Sequence, residues 1–228
     1  MWTKICGNTN LEDALLAIDA GADAVGFVFA ASPRRVTAKQ VGAITAKLPH
    51  TVEKYGVFVD AEFDGIVATV KAAGLTGVQL HSNSDAGLAL RLRKYFSDPP
   101  GRLGILQTVH YGDCFGDELA RLSENHAIDA ALVDSQNAHA QGGTGIAYDW
   151  QGARSSFFRA APHLRLIAAG GLKPENVAEA IYTLQPWGVD VCSGVEAAPG
   201  KKDAERVRRF IQQARMAGAE IKRTPARV

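Results

Sequence analysis

The 228-residue sequence is short of several features that would announce a function. Its three cysteines, Cys6, Cys114 and Cys192, are odd in number, far apart and without a C-x-x-C pair. That fits neither a disulfide framework nor a structural zinc site. No run of eighteen apolar residues occurs, and no signal-peptide pattern separates Met1-Trp2-Thr3-Lys4 from the first apolar segment. The expectation is a chain that is neither exported nor membrane-spanning and that resides in the reducing cytoplasm. Charge of one sign is also missing. With 25 Lys+Arg against 24 Asp+Glu and a net charge of +1, no broad basic field favours nucleic acid as a partner. The six histidines are scattered, with no H-x-x-x-H or H-E-x-x-H, so no catalytic metal is expected. No Pro/Gly/Ser-rich linker breaks the composition, which reads as a single domain over 1–228.

What is present is a rhythm. Short apolar runs, rich in β-branched and aromatic residues, alternate with segments of helical spacing about every 25 to 30 residues. The runs are Thr3–Cys6, Ala24–Phe29, Tyr55–Val59, Gly77–His81, Leu103–Val109, Asp129–Asp134, Leu164–Ala168 and Val189–Cys192. Helices are expected after the caps Asn10 and Thr37, after Pro174, and from about Asp203 to Met216. Strands apolar on both faces and alternating with helices imply a parallel sheet with helices outside. A doubly wound sheet would have five or six strands. About eight near-equal units favour an α/β single-domain (β/α)8 TIM barrel. The tail from Arg223 is expected to be frayed.

A barrel carries its function at the C-terminal ends of its strands. Cys6, His81 and Asp134 fall there. Singly, each has a plainer reading: a buried small hydrophobe, a core or capping histidine, a turn former. Together on one rim, they suit an acid/base site. Asp190 sits inside the apolar Val189-Asp190-Val191 strand, where an unpaired carboxylate is costly. It must therefore meet hydrogen bonds or a cation, for structure or for the site.

Gly170-Gly171 and Ser193-Gly194 follow the seventh and eighth strands, where barrels bind phosphate through bare backbone N–H groups. No Walker A or G-x-G-x-x-G pattern competes. Arg34, in Ser32-Pro33-Arg34-Arg35, is either an anion clamp or a solvated surface charge. The polar stretch from Ser135 to Asp149 contains Gly142-Gly143-Thr144-Gly145. It reads as an active-site lid, with Gly143 contributing its backbone once closed, rather than as a phosphate clamp in its own right.

Across nearly the whole chain, these residues resemble the phosphoribosylanthranilate isomerase family of tryptophan biosynthesis. The carriers are KICGNTNLEDALLAIDAGADAVGFVFAASPRRV at 4–36, GVFVD at 56–60, VQLH at 78–81, LVDS at 132–135 and GGTG at 142–145. AAGGLKPENVAEAI at 168–181 and GVDVCSGVEAAPGKKD at 188–203 complete them. The resemblance implies a cofactor-independent Amadori rearrangement of a small phosphosugar substrate; whether the chain acts as a monomer or homodimer is left open, because helix faces exposed on a barrel and buried in a dimer read alike. The resemblance makes Asp134 the acid, Cys6 the base, Arg34 the holder of the anthranilate carboxylate, and the two glycine loops the phosphate site. By the same resemblance Asp190 borders the site and His81 lies near the reacting groups.

The chain departs from the family pattern at Ser82, Gln107, Gln136, Arg35 and Cys192, where Gly, Lys, Lys, Tyr and Ser are usual. Two lysines are thereby lost from the rim. Cys192 reads as a packing substitute and Cys114 as an ordinary helix residue. An epimerase barrel would need metal ligands, and the paired-aspartate isomerase of histidine biosynthesis would need Asp at Cys6. A noncatalytic phosphate-binding barrel is the alternative from another class, supported by the lost lysines and opposed by Cys6, Asp134 and Arg34.

Overall fold

The computed structural model describes residues 1–81, 87–97, 102–135, 147–160 and 163–223. Eight strands, β1 (Trp2–Ile5), β2 (Ala24–Val28), β3 (Glu53–Val59), β4 (Gly77–His81), β5 (Gly104–Tyr111), β6 (Ala130–Ser135), β7 (Arg165–Ala168) and β8 (Gly188–Val191), pair in chain order. β8 returns to β1 and closes the barrel, all pairs parallel. The barrel was thus expected correctly over the open sheet. Outside it lie α1 (Leu11–Asp19), α2 (Ala38–Thr45), α3 (Phe63–Ala73), α4 (Leu88–Tyr95), α5 (Phe115–Ser123), α6 (Trp150–Arg159), α7 (Val177–Leu184) and α8 (Ala204–Arg223).

Local chemistry explains the boundaries. The Asn10 side chain accepts from the Asp13 N–H at 2.8 Å and starts α1, while Thr37 and Gln40 form a capping box before α2. Gly74, at φ 60°, ends α3 in the left-handed conformation. Three details differ from the sequence reading. α7 begins at Val177, after a turn that contains Pro174. α8 runs on past Met216 to Arg223, because its buried stripe continues through the small residues Ala214, Ala217 and Gly218; a Cβ at Gly218 would lie 2.6 Å from Met1 Cβ. A 3-10 turn (Ser193–Val195) and a hairpin, β9 (Glu196–Ala198) with β10 (Lys201–Lys202), fill the space between β8 and α8.

The period of two along each strand sorts the side chains. On β1, Thr3 and Ile5 face outward, Ile5 joining the apolar layer between barrel and helices; Trp2 and Lys4 point in, as does Cys6 one residue past the strand's end. Trp2 and Tyr55 meet edge to face at 6.1 Å, and Leu106, Ala130, Leu132 and Ile167 fill the interior beside them. Going up the barrel, the inward positions turn polar: Lys4, Gln79, Thr108 and Asp190, then Cys6, His81, His110 and Asp134 at the mouth. The apolar floor therefore carries a polar upper layer at the end where barrels do chemistry.

Candidate active site

The upper layer opens into a pocket lined by Cys6, Arg34, Gln79, His81, Asp134, Asp190 and Cys192, among others. Beneath it lies a buried ion pair. Lys4 Nζ donates to Asp190 Oδ1 at 2.8 Å and to Gln79 Oε1 at 2.9 Å, and Gln79 Nε2 donates to Thr108 Oγ1 at 3.2 Å. Lys4 is fully buried. Burial alone would push its ammonium down, but the carboxylate of Asp190 and the neighbouring Cys6 raise it above the ordinary lysine value. Asp190 has found its cation, and its side chain also lines the pocket.

Cys6 stands directly above Lys4. The two sit on the inward face of one strand, and Gly26 makes room: a Cβ there would lie 2.7 Å from Cys6 Sγ and 3.0 Å from Lys4 Cε. A hydrogen bond from the Cys192 thiol lowers the Cys6 thiol to about 7; burial opposes this, and the positive charge of Lys4 assists it. Cys192 itself is pushed up, by that hydrogen bond and by burial. It is more than a packing substitute. Lys202 Nζ donates to the carbonyls of Cys6 (2.5 Å) and Cys192 (3.3 Å) and to Glu196 Oε1 (3.2 Å), tying the two strand ends together.

Across the pocket, Asp134 is raised above the usual carboxylate range. Burial is the main cause; the Ser135 N–H, donating to Oδ1 at 2.7 Å, opposes it, and the charge of Asp190 adds to it. The two groups that sequence paired as base and acid are thus shifted toward each other, the thiol down and the carboxyl up. His81 is buried and stacks edge-on against His110, ring centroids 5.0 Å apart. Burial, with His110 beside it, lowers His81 to about 4, so it is neutral near pH 7. His110 Nδ1 is buried and has no hydrogen-bond partner among the described residues.

Arg34 is not a loose surface charge. Its Nε donates to Glu196 Oε1 at 2.8 Å and its Nη2 to Oε2 at 2.6 Å, a forked pair that leaves Nη1 without a partner among the described residues. At the far rim, Gly170 and Gly171 take φ 70° and 65°. A Cβ on Gly170 would run into Asp134 Oδ1 and the Ser135 N–H, and one on Gly194 into the Leu172 carbonyl. The two glycine loops therefore pack on each other and on Asp134, with Ser193 opening the short 3-10 turn. Gly143 of the expected lid lies outside the described residues, as do Ser82 and Gln136. Gln107 spends its amide on the carbonyls of Leu80 (3.2 Å) and Thr108 (3.3 Å) and brings no charge to the rim.

The sequence reading missed Lys4, Gln79, Lys202, Glu196, His110 and the thiol contact of Cys192. Lys4 could have been found: a lysine two positions before Cys6 in a buried strand must point the same way. Among the described residues, no cluster of three or more His, Cys, Asp or Glu side chains could hold a metal ion, and no helix is long and apolar enough to cross a membrane.

Fold and pocket together define a barrel of the enzyme type, with titratable side chains at the mouth of its C-terminal end and two glycine loops packed beside Asp134. The comparisons narrow this. Residues 3–213 match the family model described as N-(5'phosphoribosyl)anthranilate (PRA) isomerase. The N-(5'-phosphoribosyl)anthranilate isomerase of Pelobacter propionicus is 41% identical over 221 residues, 96% of this chain and 98% of its own. The crystal structure of phosphoribosyl anthranilate isomerase from Thermotoga maritima superposes with a TM-score of 0.81 at 34% identity, over 95% of this chain and 99% of that one. A phosphoribosyl anthranilate isomerase crystallised with reduced 1-(o-carboxyphenylamino)-1-deoxyribulose 5-phosphate gives 0.78 at 33%, with the same coverage. This chain belongs to the N-(5'-phosphoribosyl)anthranilate isomerase family, enzymes of the aldose–ketose isomerase type.

Proposed function

We propose that the chain converts N-(5'-phosphoribosyl)anthranilate to 1-(2-carboxyphenylamino)-1-deoxyribulose 5-phosphate by general acid/base catalysis at the Cys6–Asp134 pocket. The observation that carries this is the opposed pair: a thiol lowered to about 7 and a carboxyl raised by burial, facing one cavity. Asp134 protonates the furanose ring oxygen, the ring opens to a Schiff base, and Cys6 removes the C2' proton. The electrons of that C–H bond pass to the iminium, and the resulting enol relaxes to the ketone with a proton returned at C1'. No redox cofactor enters this balance.

Binding follows from the remaining groups. Arg34, oriented by Glu196, offers its remaining N–H edge to the anthranilate carboxylate. The backbone N–H groups of Gly170, Gly171, Ser193 and Gly194 receive the phosphate. Asp190, held by Lys4, accepts from a sugar hydroxyl, and neutral His81 adds a hydrogen bond without charge. The lysines missing at Gln107 and Gln136 leave Arg34 and the loops as the anion-binding groups named on this rim.

The test is turnover. Purified protein added to freshly prepared phosphoribosylanthranilate is expected to quench the substrate's fluorescence well above the buffer rate. Folded protein that leaves the decay at the buffer rate would overturn the proposal.

A further inference from the structure

We propose that Cys6 and Cys192 form a reversible intramolecular disulfide under peroxide, a modification that removes the thiol assigned above as the base. The two residues continue the β1–β8 register, in which Ile5 lies opposite Val191, and the Cys6 N–H donates to the Val191 carbonyl at 2.8 Å. Adjacent strands run about 4.8 Å apart, inside the Cα separation of about 4.4–6.8 Å that a disulfide spans. Both side chains line the same pocket, and each thiol shifts the ionisation of the other, Cys6 downward and Cys192 upward. Glycines clear the space: a Cβ at Gly7 would lie 2.6 Å from Cys192 Sγ, and one at Gly26 2.7 Å from Cys6 Sγ. Lys202, bonded to both cysteine carbonyls, fixes the backbone on either side. Bond formation therefore asks for side-chain rotation rather than strand movement.

The chemistry balances with a peroxide as oxidant. The Cys6 thiolate attacks one peroxide oxygen, the O–O bond breaks, and the departing hydroxide takes up the proton the thiol had released and leaves as water, giving a sulfenic acid on Cys6. The Cys192 sulfur then attacks Cys6 Sγ, the S–O bond breaks, and a second water leaves. Two thiols lose two electrons to one peroxide, and a small dithiol returns them by exchange. Cys114, exposed at the start of α5, takes no part.

The experiment uses a Cys114→Ser chain treated with a small excess of hydrogen peroxide, then alkylated, digested and weighed. The expected result is loss of two hydrogens, no alkylation at either remaining thiol, a linked peptide pair containing Cys6 and Cys192, and full recovery with dithiothreitol. In Cys192→Ser, Cys6 should instead gain oxygen without a link. Oxygen adducts on Cys6 with Cys192 still alkylated in the parent, two thiols left free, or a link between separate chains would each overturn the proposal. Loss of turnover in step with the link rests on the isomerase reading; the mass and the linked peptides do not, so the two can fail separately.

Discussion

Lys4 Nζ lies 2.8 Å from Asp190 Oδ1, fully buried beneath the thiol of Cys6. Two neighbouring strands thus place a compensated pair of charges where neither could stand alone. Its desolvation is offset by mutual attraction and by the amide of Gln79. The pair serves the pocket in two ways, since Asp190 faces the cavity and the charge of Lys4 favours the thiolate above it.

Lys4→Met removes one partner and leaves a buried carboxylate. Stability should fall by about 3–5 kcal/mol, read as a lower denaturant midpoint at unchanged slope. Lys4→Met/Asp190→Leu should recover much of that loss. A single variant as stable as the parent would show that the pair is not buried as described.

The thiol of Cys6 should titrate at about 7, measured by thiolate absorbance in the Cys114→Ser background. A base must be deprotonated, so kcat/KM should rise with pH through the same midpoint and fall about tenfold per unit below it. Replacing Cys192 by Ala removes the hydrogen bond that most favours the thiolate. Replacing Lys4 by Met removes a cation. Both changes should move the midpoint up. A parent midpoint near the ordinary cysteine value of about 8.5 would contradict the assignment.

Arg34→Ala should chiefly raise KM, because it removes a binding group and leaves the acid and base in place. Glu196 keeps Lys202 as a partner in that variant, at 3.2 Å, so the fold should survive. Glu196→Gln should raise KM less, by loosening the forked grip that orients the guanidinium. An unchanged KM in Arg34→Ala would remove its binding role.

The glycine loops predict competitive inhibition by inorganic phosphate. Gly194→Ala puts a methyl group into the Leu172 carbonyl and forces the loops apart. The inhibition constant should rise by roughly tenfold, about 1.4 kcal/mol. Phosphate that fails to compete in the parent would count against the site.

How much of this was legible in sequence depended on range. Strand alternation and the (β/α)8 rhythm were enough to put Cys6, His81 and Asp134 at one end of a barrel, because the end of a strand is a local property of its sequence; Asp190, inside its strand, was left between a structural role and the site. Partners across the barrel were not legible. Arg34 and Glu196 are 162 positions apart, and nothing local to either indicates that the fork closes on that carboxylate. Cys192 looked like packing because its neighbour in space, Cys6, belongs to the first strand, and only closure of β8 on β1 brings the sulfurs together. The end of α8 was misjudged for a simpler reason: alanine and glycine carry its buried stripe beyond Met216, and they leave little hydrophobic periodicity to read.

The central claim is that Cys6 and Asp134 act as base and acid on phosphoribosylanthranilate. Its most direct test is the kcat of Cys6→Ser and Asp134→Asn beside the parent chain, followed by substrate fluorescence at equal folded concentration. Each is expected to fall by about a hundredfold or more. Near-parental turnover in either variant would contradict the account.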